Sequence, residues 1–220
     1  MAAGQPPPDR EGYLDRWATL HGGYDPRSNR LVRGWLALTY TVARPLAQAR
    51  VSPHLVTLAG LGASGGAAAV AAGGGWWLWG AAALVVVAGL LDSVDGAVAV
   101  LRERVTRWGH VVDSVTDRAA DLMFVLALGV AGAPWQPCVL AGALMFLLEY
   151  TRARAGVAGM TEVGVVTVWE RPTRVIVTAA FLASAAALDD PWPQLGAWAW
   201  VGLGTVGLTQ LLVVVRRRLS

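Results

Sequence analysis

Apolar stretches alternate with short polar, glycine-rich or proline-rich segments along most of this chain. Apolar stretches of about 18 residues or more are typical of helices that cross a membrane. The pattern predicts six spans: from the Val51–Thr57 segment to Ala72, from Trp76 to about Val100, from about Gly109 to the turn at Ala133, from about Pro137 to Tyr150, from the Glu170–Arg174 segment to the turn at Asp189, and from Leu195 to Val215. We therefore predict an all-α integral membrane protein with six transmembrane helices.

Two segments with a different pattern precede the spans. Residues 1–28 carry three consecutive prolines and scattered charge, which predicts a flexible cytoplasmic tail with one short helix around Gly12–Leu20. In residues 29–50, apolar side chains recur at helical spacing among arginines, at Leu31, Trp35, Leu38 and Val42. This pattern predicts an amphipathic helix in the membrane interface. A crossing helix is the alternative, because the segment 31–46 holds just two arginines. Residues 51–220 form the predicted six-helix domain.

The positions of the basic residues, which are all arginines, predict how the spans are oriented. Seventeen of the eighteen fall in the two tails, in the 102–107 loop or in the 152–174 loop, and the opposite turns have none. Arginines concentrate on the cytoplasmic side of membrane proteins. We therefore predict a multi-pass protein of the cytoplasmic membrane with both termini in the cytoplasm. The net charge of +3 favours an anionic membrane surface or anionic substrates over nucleic acid.

The composition agrees with a bilayer environment. At 55% hydrophobic residues and with positive mean hydropathy, the chain is too apolar for an ordinary soluble domain. Its single cysteine, Cys138, excludes an intramolecular disulfide and is expected to be a buried structural thiol. The opening stretch 1–12 is proline-rich and charged, so no signal peptide is expected there.

Five carboxylates between residues 92 and 121 interrupt the second and third predicted spans. Asp92 and Asp95 share one helical face, and acids recur every four residues on the next helix, at Asp113, Asp117 and Asp121. Carboxylates in a hydrocarbon environment are costly, so they indicate a functional site. Two facing acidic stripes provide the all-oxygen ligands that hard divalent cations prefer. The glycines and alanine between them leave room for a substrate.

These residues carry a resemblance to a known family. The pattern Asp-x2-Asp-Gly-x2-Ala-(Arg)-x8-Gly-x3-Asp-x3-Asp is similar to the signature of the CDP-alcohol phosphotransferases. Those membrane enzymes move a phosphatidyl or similar group from a CDP-linked donor to an alcohol and release CMP. Seven of the eight fixed positions match: Asp92, Asp95, Gly96, Ala99, Gly109, Asp113 and Asp117. The departure is Val100, which stands where the family has arginine.

The resemblance implies a role for each matching residue. Two Mg²⁺ or Mn²⁺ ions per active site would be held by Asp92, Asp95, Asp113 and Asp117. Asp117 would also be the catalytic base that takes the proton of the acceptor hydroxyl. The nucleotide of the donor would contact Gly96, Ala99 and Gly109, with Thr57 as a weaker candidate. Arg104 is predicted to replace the missing arginine of position 100, with Arg102 as the alternative.

A second group of charged residues follows predicted span four. The segments 150–155, 170–174 and 113–118 resemble those of actinobacterial phosphatidylinositol phosphate synthases, in which basic residues hold the phosphate of inositol phosphate. The resemblance therefore implies an acceptor-phosphate site made by Arg152, Arg154, Arg171 and Arg174. The alternative is that these arginines extend to lipid headgroups. Asp121 lies outside the signature and is expected to pair with Arg118.

The predicted function is transfer of a phosphatidyl group from CDP-diacylglycerol to a soluble phosphorylated polyol, with release of CMP. Inositol phosphate is the favoured acceptor, and glycerol phosphate, as in phosphatidylglycerophosphate synthesis, is the alternative. The family resemblance also suggests a homodimer. A cation transporter is the alternative from another class, and a weakened family member is a third, supported by Val100. His54 and His110 are expected to be polar interface residues rather than metal ligands.

Overall fold

The structure is a computed structural model that describes residues 8–20, 22–160, 166–188 and 191–220. In these ranges the chain is all-helical, as predicted. Its α-helices are α1 (Arg10–Leu20), α2 (Arg30–Gln48), α3 (Pro53–Ala71), α4 (Trp77–Leu101), α5 (Arg107–Val130), α6 (Trp135–Val157), α7 (Arg171–Ala187) and α8 (Trp192–Leu219). Of these, α3, α4 and α8 are long and apolar enough to cross a membrane. A short 3₁₀ helix, Pro26–Ser28, precedes α2.

The helices divide into two compact units. The first comprises Met1–Leu61 and Leu90–Asp117. Its apolar core joins α1 and α2 to the C-terminal part of α4 and the start of α3; its members are Tyr13, Leu14, Leu36, Tyr40, Ala43, Ala47, Val56, Val94, Ala97, Val98, Val100 and Leu101. On α2 the buried residues recur every three or four positions, which is the spacing of one helical face. The opposite stripe, with Leu31 at its start, is exposed.

The short helix predicted around Gly12–Leu20 is present as α1, and it packs into the core of the first unit. Tyr13 and Leu14 of α1 are each 1% exposed, and the Tyr13 ring lies 5.6 Å from that of Tyr40. Arg27 joins the 3₁₀ helix to α1 through ion pairs of 2.8 Å with Glu11 and Asp15. Packing therefore fixes α1, which the sequence had placed in a flexible segment. The boundaries of the tail, the interfacial helix and the six-helix domain stay predictions.

Helices α2 and α4 end in the same way. Arg50 and Glu103 adopt positive φ angles of 58° and 54°. After α4, the amide of Glu103 bonds to the carbonyl of Val100, and the amide of Arg104 bonds to that of Ala99. This pair of hydrogen bonds defines a Schellman motif, which satisfies the last carbonyls of a helix and reverses the chain. The motif brings Arg104 back towards α4.

The second unit comprises Gly62–Gly89 and Arg118–Ser220. Its core centres on Trp169 and Trp200, which are fully buried with ring centroids 5.0 Å apart in an edge-to-face arrangement. The indole nitrogen of Trp200 donates to the hydroxyl of Thr178, 3.0 Å away, so a buried polar atom of the core is satisfied. A Cβ atom at Gly207 would lie 2.7 Å from the Cβ of Trp169. The ring therefore packs where α8 has no side chain.

Three details differ from the sequence-based prediction or fall outside the described ranges. Helix α6 continues to Val157 rather than ending at Tyr150, so Arg152 and Arg154 belong to its last turns. The helix continues because arginine is a good helix former. It stops shortly before Gly159, which has a φ angle of 106°. Cys138 is partly rather than fully buried. Part of the predicted turn, residues 189–190, lies outside the described residues.

Candidate functional site

The centre of the site is a group of three carboxylates in the first unit. Asp113 and Asp117 lie one turn apart on α5, so both project from one face of that helix. Asp92 of α4 completes the group, and each residue offers an oxygen within 4.8 Å of the others. All three side chains are half-buried. Like charges at this separation repel one another, and a bound cation relieves the repulsion.

Asp95 adds a fourth acid one turn beyond Asp92. It is 5% exposed, and its Oδ2 atom is buried and has no hydrogen-bond partner among the described residues. Its carboxylate also interacts with the hydroxyl of Thr57 and with the charges of Asp113 and Asp117. A buried carboxylate oxygen without a donor is costly, so a ligand for it is expected.

The donor set fits a divalent cation. Oxygen atoms from several carboxylates are the ligands that Mg²⁺ and Mn²⁺ prefer, and the group contains no competing soft ligand. The oxygens of Asp92, Asp113 and Asp117 are close enough to share an ion, and the unsatisfied oxygen of Asp95 is a further candidate ligand. The group thus has the donor chemistry of a divalent-cation site, and the ligand set and the number of ions stay predictions.

A cavity of about 820 Å³ opens beside the acids within the first unit. Its walls are formed by residues of α1 to α5 and by the segments that precede α3 and follow α4; the lining residues are Tyr13, Trp17, Leu20, Trp35, Leu36, Ser52, Pro53, His54, Thr57, Asp92, Ser93, Asp95, Gly96, Ala97, Ala99, Val100, Arg104, Val105, Thr106, Gly109, His110 and Asp113. All five predicted nucleotide-binding residues are in this set: Thr57, Gly96, Ala99, Gly109 and Arg104.

The glycines give this cavity its width. A Cβ atom at Gly96 would meet nothing within 4 Å, so the space beside it is open. At Gly109 a Cβ atom would lie 3.0 Å from the hydroxyl oxygen of Thr106. The same hydroxyl accepts a hydrogen bond of 2.9 Å from the Gly109 amide and caps the first turn of α5. The small residues therefore leave one side of the acid group accessible.

Some lining residues were not predicted from the sequence. The first is an apolar and aromatic wall from α1, made by Tyr13, Trp17 and Leu20. Their spacing of four and then three residues places them on one helical face, and this was the available signal. His54 and His110 also line the cavity and are exposed.

A second cluster of charges lies in the second unit and is described by itself. Asp121 is completely buried, and Arg174, 1% exposed, donates to its Oδ2 atom at 2.7 Å. Arg174 also donates to Glu149 and to the backbone carbonyl of Trp169, both at 3.0 Å. Arg118 lies 3.2 Å from Asp121, so the pairing predicted from the sequence is confirmed.

These contacts change the interpretation of the predicted acceptor arginines. The guanidinium of Arg174 faces two carboxylates and a carbonyl, so its charge is already compensated inside the protein. Binding of a phosphate by Arg174 stays a prediction, and the contacts seen here are those of a residue that positions its neighbours. Arg171 lies farther from Asp121, at 3.8 Å, and is 15% exposed. Arg154 is exposed.

Arg152 is held at the other edge of this cluster. It donates to the carboxylate of Glu170 at 2.7 Å, and Glu170 also accepts from the amide and hydroxyl of Thr167. Burial alone would raise the pKa of Glu170, but these donors outweigh it and hold that pKa below its ordinary value. Glu170 therefore stays ionised and fixes Arg152 beside the start of α7.

The comparison with protein families identifies residues 50–214 as a match to the CDP-alcohol phosphatidyltransferase model. The resemblance predicted from residues 92–117 is thus confirmed, and it extends over most of the chain. Helices α1 and α2 both precede the matched residues.

Individual relatives and solved structures are similar to this chain over most of its length. A phosphatidylinositol phosphate synthase of Mycobacteroides abscessus is 30% identical over 187 residues, which cover 81% of this chain and 84% of the relative. An archaetidylinositol phosphate synthase of Methanothermobacter thermautotrophicus is 32% identical over 60% of this chain and 68% of the relative. The Mycobacterium tuberculosis phosphatidylinositol phosphate synthase with CDP-diacylglycerol bound is similar in structure, with a TM-score of 0.64, 26% identity, and coverage of 81% of this chain and 94% of that one. The same enzyme in complex with manganese and citrate gives a TM-score of 0.66 at 27% identity, over 80% and 88% of the two chains.

Proposed function

We propose that this chain, which belongs to the CDP-alcohol phosphatidyltransferase family, transfers a phosphatidyl group from CDP-diacylglycerol to inositol phosphate. In this reaction the acceptor hydroxyl oxygen forms a bond to the phosphorus of the phosphatidyl group. The bond between that phosphorus and the CMP oxygen breaks. CMP leaves with the electron pair, and the proton of the hydroxyl passes to the protein.

One observation carries the proposal. The small residues of the signature, Gly96, Ala99 and Gly109, line one cavity together with Asp92, Asp95 and Asp113. The cavity therefore combines open space for a nucleotide with oxygen ligands for cations that bind its phosphates. The names and bound ligands of the relatives support CDP-diacylglycerol as the donor and an inositol phosphate as the acceptor.

The carboxylates would bind two Mg²⁺ or Mn²⁺ ions, with Asp92, Asp95, Asp113 and Asp117 as ligands. Such ions neutralise the charge of a pyrophosphate and stabilise the negative charge that develops on the leaving oxygen. Clustered acids in the site also disfavour the cation-transporter alternative, which predicts acids spread across the depth of the membrane. The manganese complex of the tuberculosis enzyme supports a divalent cation of this class.

The remaining residues of the cavity bind and orient the substrates. Arg104 supplies positive charge for the phosphates of the donor, and Thr57, with Gly96 and Ala99, borders the nucleotide. Asp117 accepts the proton of the acceptor hydroxyl as the new bond forms. A carboxylate is a weak base in water, so contact with the reacting hydroxyl is what makes the transfer effective.

Arginines of the second unit would bind the phosphate of the acceptor. Arg154 is exposed and Arg171 is 15% exposed, so the guanidinium groups of these two are more accessible to a ligand than that of Arg174, which is 1% exposed. Arg152 and Arg174 would position the cluster through Glu170, Glu149 and Asp121. The fork of a guanidinium matches two phosphate oxygens, and this favours arginine over lysine for the task.

The proposed setting is the cytoplasmic membrane. Six spans with both termini in the cytoplasm would place the acids near the cytoplasmic ends of spans two and three. A soluble phosphorylated polyol and a lipid of the inner leaflet can meet there. Helix α2 would lie in the interface, with its exposed apolar stripe in contact with lipid. A homodimer is proposed from the family resemblance.

The test is an acceptor panel with purified protein in detergent. The protein is supplied with CDP-diacylglycerol, Mg²⁺ and one acceptor at a time: inositol phosphate, unphosphorylated inositol or glycerol phosphate. Release of CMP and the lipid product are measured together. The proposal requires turnover with inositol phosphate that exceeds turnover with the other two by about tenfold or more, because the acceptor phosphate contributes charge-assisted hydrogen bonds.

Other outcomes separate the alternatives. Preference for glycerol phosphate would replace the proposed acceptor and leave the family chemistry intact. Equal turnover with inositol and its phosphate would remove the role given to the arginines. No CMP release with any acceptor would contradict the proposed donor or mark a weakened member of the family. Omission of divalent cations serves as the background control.

A further inference from the structure

Helix α1 precedes the part of the chain that matches the family model, and yet it forms a wall of the cavity. Tyr13, Trp17 and Leu20 lie on one face of this helix and line the same space as Gly96 and Ala99. None of the roles assigned above uses this wall. The question is what it contacts when the donor is bound.

Several contacts hold α1 in place. Tyr13 and Leu14 are buried in the core of the first unit, and the Tyr40 hydroxyl donates to the carbonyl of Pro8 at 3.2 Å. Arg16 forms an ion pair of 2.9 Å with Glu103 in the turn after α4. The wall is therefore a fixed part of the unit, and its side chains are oriented before a ligand binds.

The ion pair with Glu103 also indicates which end of the cavity the wall borders. Glu103 lies between Arg102 and Arg104, in a segment too rich in charge to lie within hydrocarbon. Trp17 follows Arg16 directly and is half-buried. The wall thus stands at the end of the cavity that the charged turn borders, the polar end, and the acyl chains of a lipid donor would extend away from it. At the polar end, the part of the donor with an extended aromatic surface is the base.

We propose that α1 is part of the donor site and that Trp17 packs against the cytosine base of the CDP group. This inference rests on the proposed function for the identity of the donor. The indole ring offers a flat face, and stacking on such a face contributes substantially to the binding of a base. Tyr13 and Leu14 act as anchors that position Trp17, and Leu20 extends the apolar surface.

The test measures binding of CMP directly, so it does not depend on turnover. Calorimetry with CMP and Mg²⁺ is carried out on the full-length protein in detergent, with Trp17→Leu and Trp17→Phe compared with wild type. Trp17→Leu keeps apolar volume but removes the aromatic face, and it is expected to weaken CMP binding about tenfold. Trp17→Phe retains a ring, and its CMP affinity is expected to fall about threefold or less. The matched control is Trp76→Leu, since Trp76 is 81% exposed and lies in the second unit.

A second ligand distinguishes contact with the base from a general change in the cavity. Pyrophosphate with Mg²⁺ has the two linked phosphates of the donor but no base, so its affinity should be unchanged in Trp17→Leu. In turnover, the KM for CDP-diacylglycerol should rise about as much as the Kd for CMP, with kcat and the acceptor KM unchanged.

Three results would overturn the inference. If Trp17→Leu bound CMP as tightly as the wild type, contact between Trp17 and the base would be excluded. A rise in the KM for the lipid donor would then reflect weaker binding of its acyl chains. Equal losses for CMP and pyrophosphate would show a structural role only. Equal CMP affinity in Trp17→Phe and Trp17→Leu, both weakened, would exclude a ring-specific contact. If the wild type binds CMP but transfers nothing to inositol phosphate, the proposed function fails while the contact of Trp17 can still be established.

Discussion

The backbone amide of Arg104 donates a 2.9 Å hydrogen bond to the carbonyl of Ala99, and this bond turns the chain back at the end of α4. Arg104 consequently lines the cavity, although the helix itself ends at Leu101. Arg102, two residues earlier, is directed elsewhere: its guanidinium donates to the carbonyls of Arg50 and Val51 at 2.8 and 2.6 Å. The two arginines that follow α4 thus have different partners and different expected roles.

Arg104→Ala and Arg102→Ala should therefore differ in effect. Arg104→Ala is expected to raise the donor KM by about tenfold or more, because a charged donor to phosphate oxygens is lost. Arg102→Ala leaves the carbonyls of Arg50 and Val51 without this donor and should lower the melting temperature, with little change in donor KM. Steady-state kinetics and thermal unfolding in detergent measure both. A normal donor KM in Arg104→Ala would contradict the role given to this residue.

The metal centre predicts a severe loss of activity when its charge is reduced. Asp95→Asn or Asp113→Asn keeps the shape of the side chain but removes a negative ligand, and CMP release should fall by more than about a hundredfold. Size-exclusion chromatography should show normally folded protein. Glu11→Gln is the control, since this acid is exposed and does not line the cavity. Turnover within about tenfold of wild type in either aspartate variant would exclude the two-metal proposal.

The sequence predicted which acids lie together where they share a helix face within a short stretch of the chain. Acids every four residues on α5, and the Asp92–Asp95 pair on α4, define faces that follow from helix geometry alone. The all-helical class followed from long apolar stretches in the same way. The roles of Gly96 and Gly109 depended on the family resemblance, because a glycine carries no chemical signal of its own.

The predictions were incomplete where the structure depends on contacts between distant residues. The sequence predicted a short helix around Gly12–Leu20 within a flexible tail but not the packing of that helix, because Tyr40, which contacts Tyr13, lies more than twenty residues farther along the chain. The contacts of Arg174 were not predicted because its partners, Asp121 and Glu149, are 53 and 25 residues away. A local sequence pattern does not contain such long-range pairings. These pairings and the burial of the side chains determine which charged groups can still bind a ligand.

Gly96→Ala tests whether the open space beside α4 is used by the donor. The added methyl group would meet no protein atom within 4 Å, and alanine is the better helix former, so stability should be equal or higher. Donor KM should nevertheless rise several-fold because the methyl group projects into substrate space. Gly65→Ala is the matched control: it also lies in a helix with nothing within 4 Å, but it does not line the cavity. Unchanged donor KM in Gly96→Ala would show that the space is not occupied by substrate.

The buried cluster predicts that Arg174 acts mainly on stability. Arg174→Met removes the guanidinium that lies 2.7 Å from Asp121, and because Arg118 still lies 3.2 Å from this carboxylate, the loss of unfolding free energy should be about 3 kcal/mol, at the lower end expected for a broken buried ion pair. The double variant Asp121→Asn/Arg174→Met should recover part of this loss, since the buried carboxylate is then neutral. Arg154→Ala, at an exposed position, should unfold like wild type. Thermal unfolding is measured for the wild type, Arg174→Met, the double variant and Arg154→Ala. Equal stability of Arg174→Met and Arg154→Ala would contradict this account.

Val100 tests how the chain functions without the arginine of the family signature. Its side chain is 8% exposed, and it belongs to the core of the first unit while also lining the cavity. An arginine here would have to direct its charge into the cavity, and overpacking should lower stability by about 1–3 kcal/mol. If Arg104 already serves the donor, Val100→Arg should change the donor KM little in wild type.

The same substitution should restore donor binding in the Arg104→Ala background, because either position then supplies one guanidinium to the cavity. Donor KM and kcat for wild type, both single variants and the double variant measure the coupling between the two positions. Failure of Val100→Arg to rescue Arg104→Ala, with both proteins folded, would show that the two charges are not equivalent. A large rise in kcat from Val100→Arg alone would instead identify Val100 as the cause of a weakened active site, and Arg104 would then not replace the missing arginine.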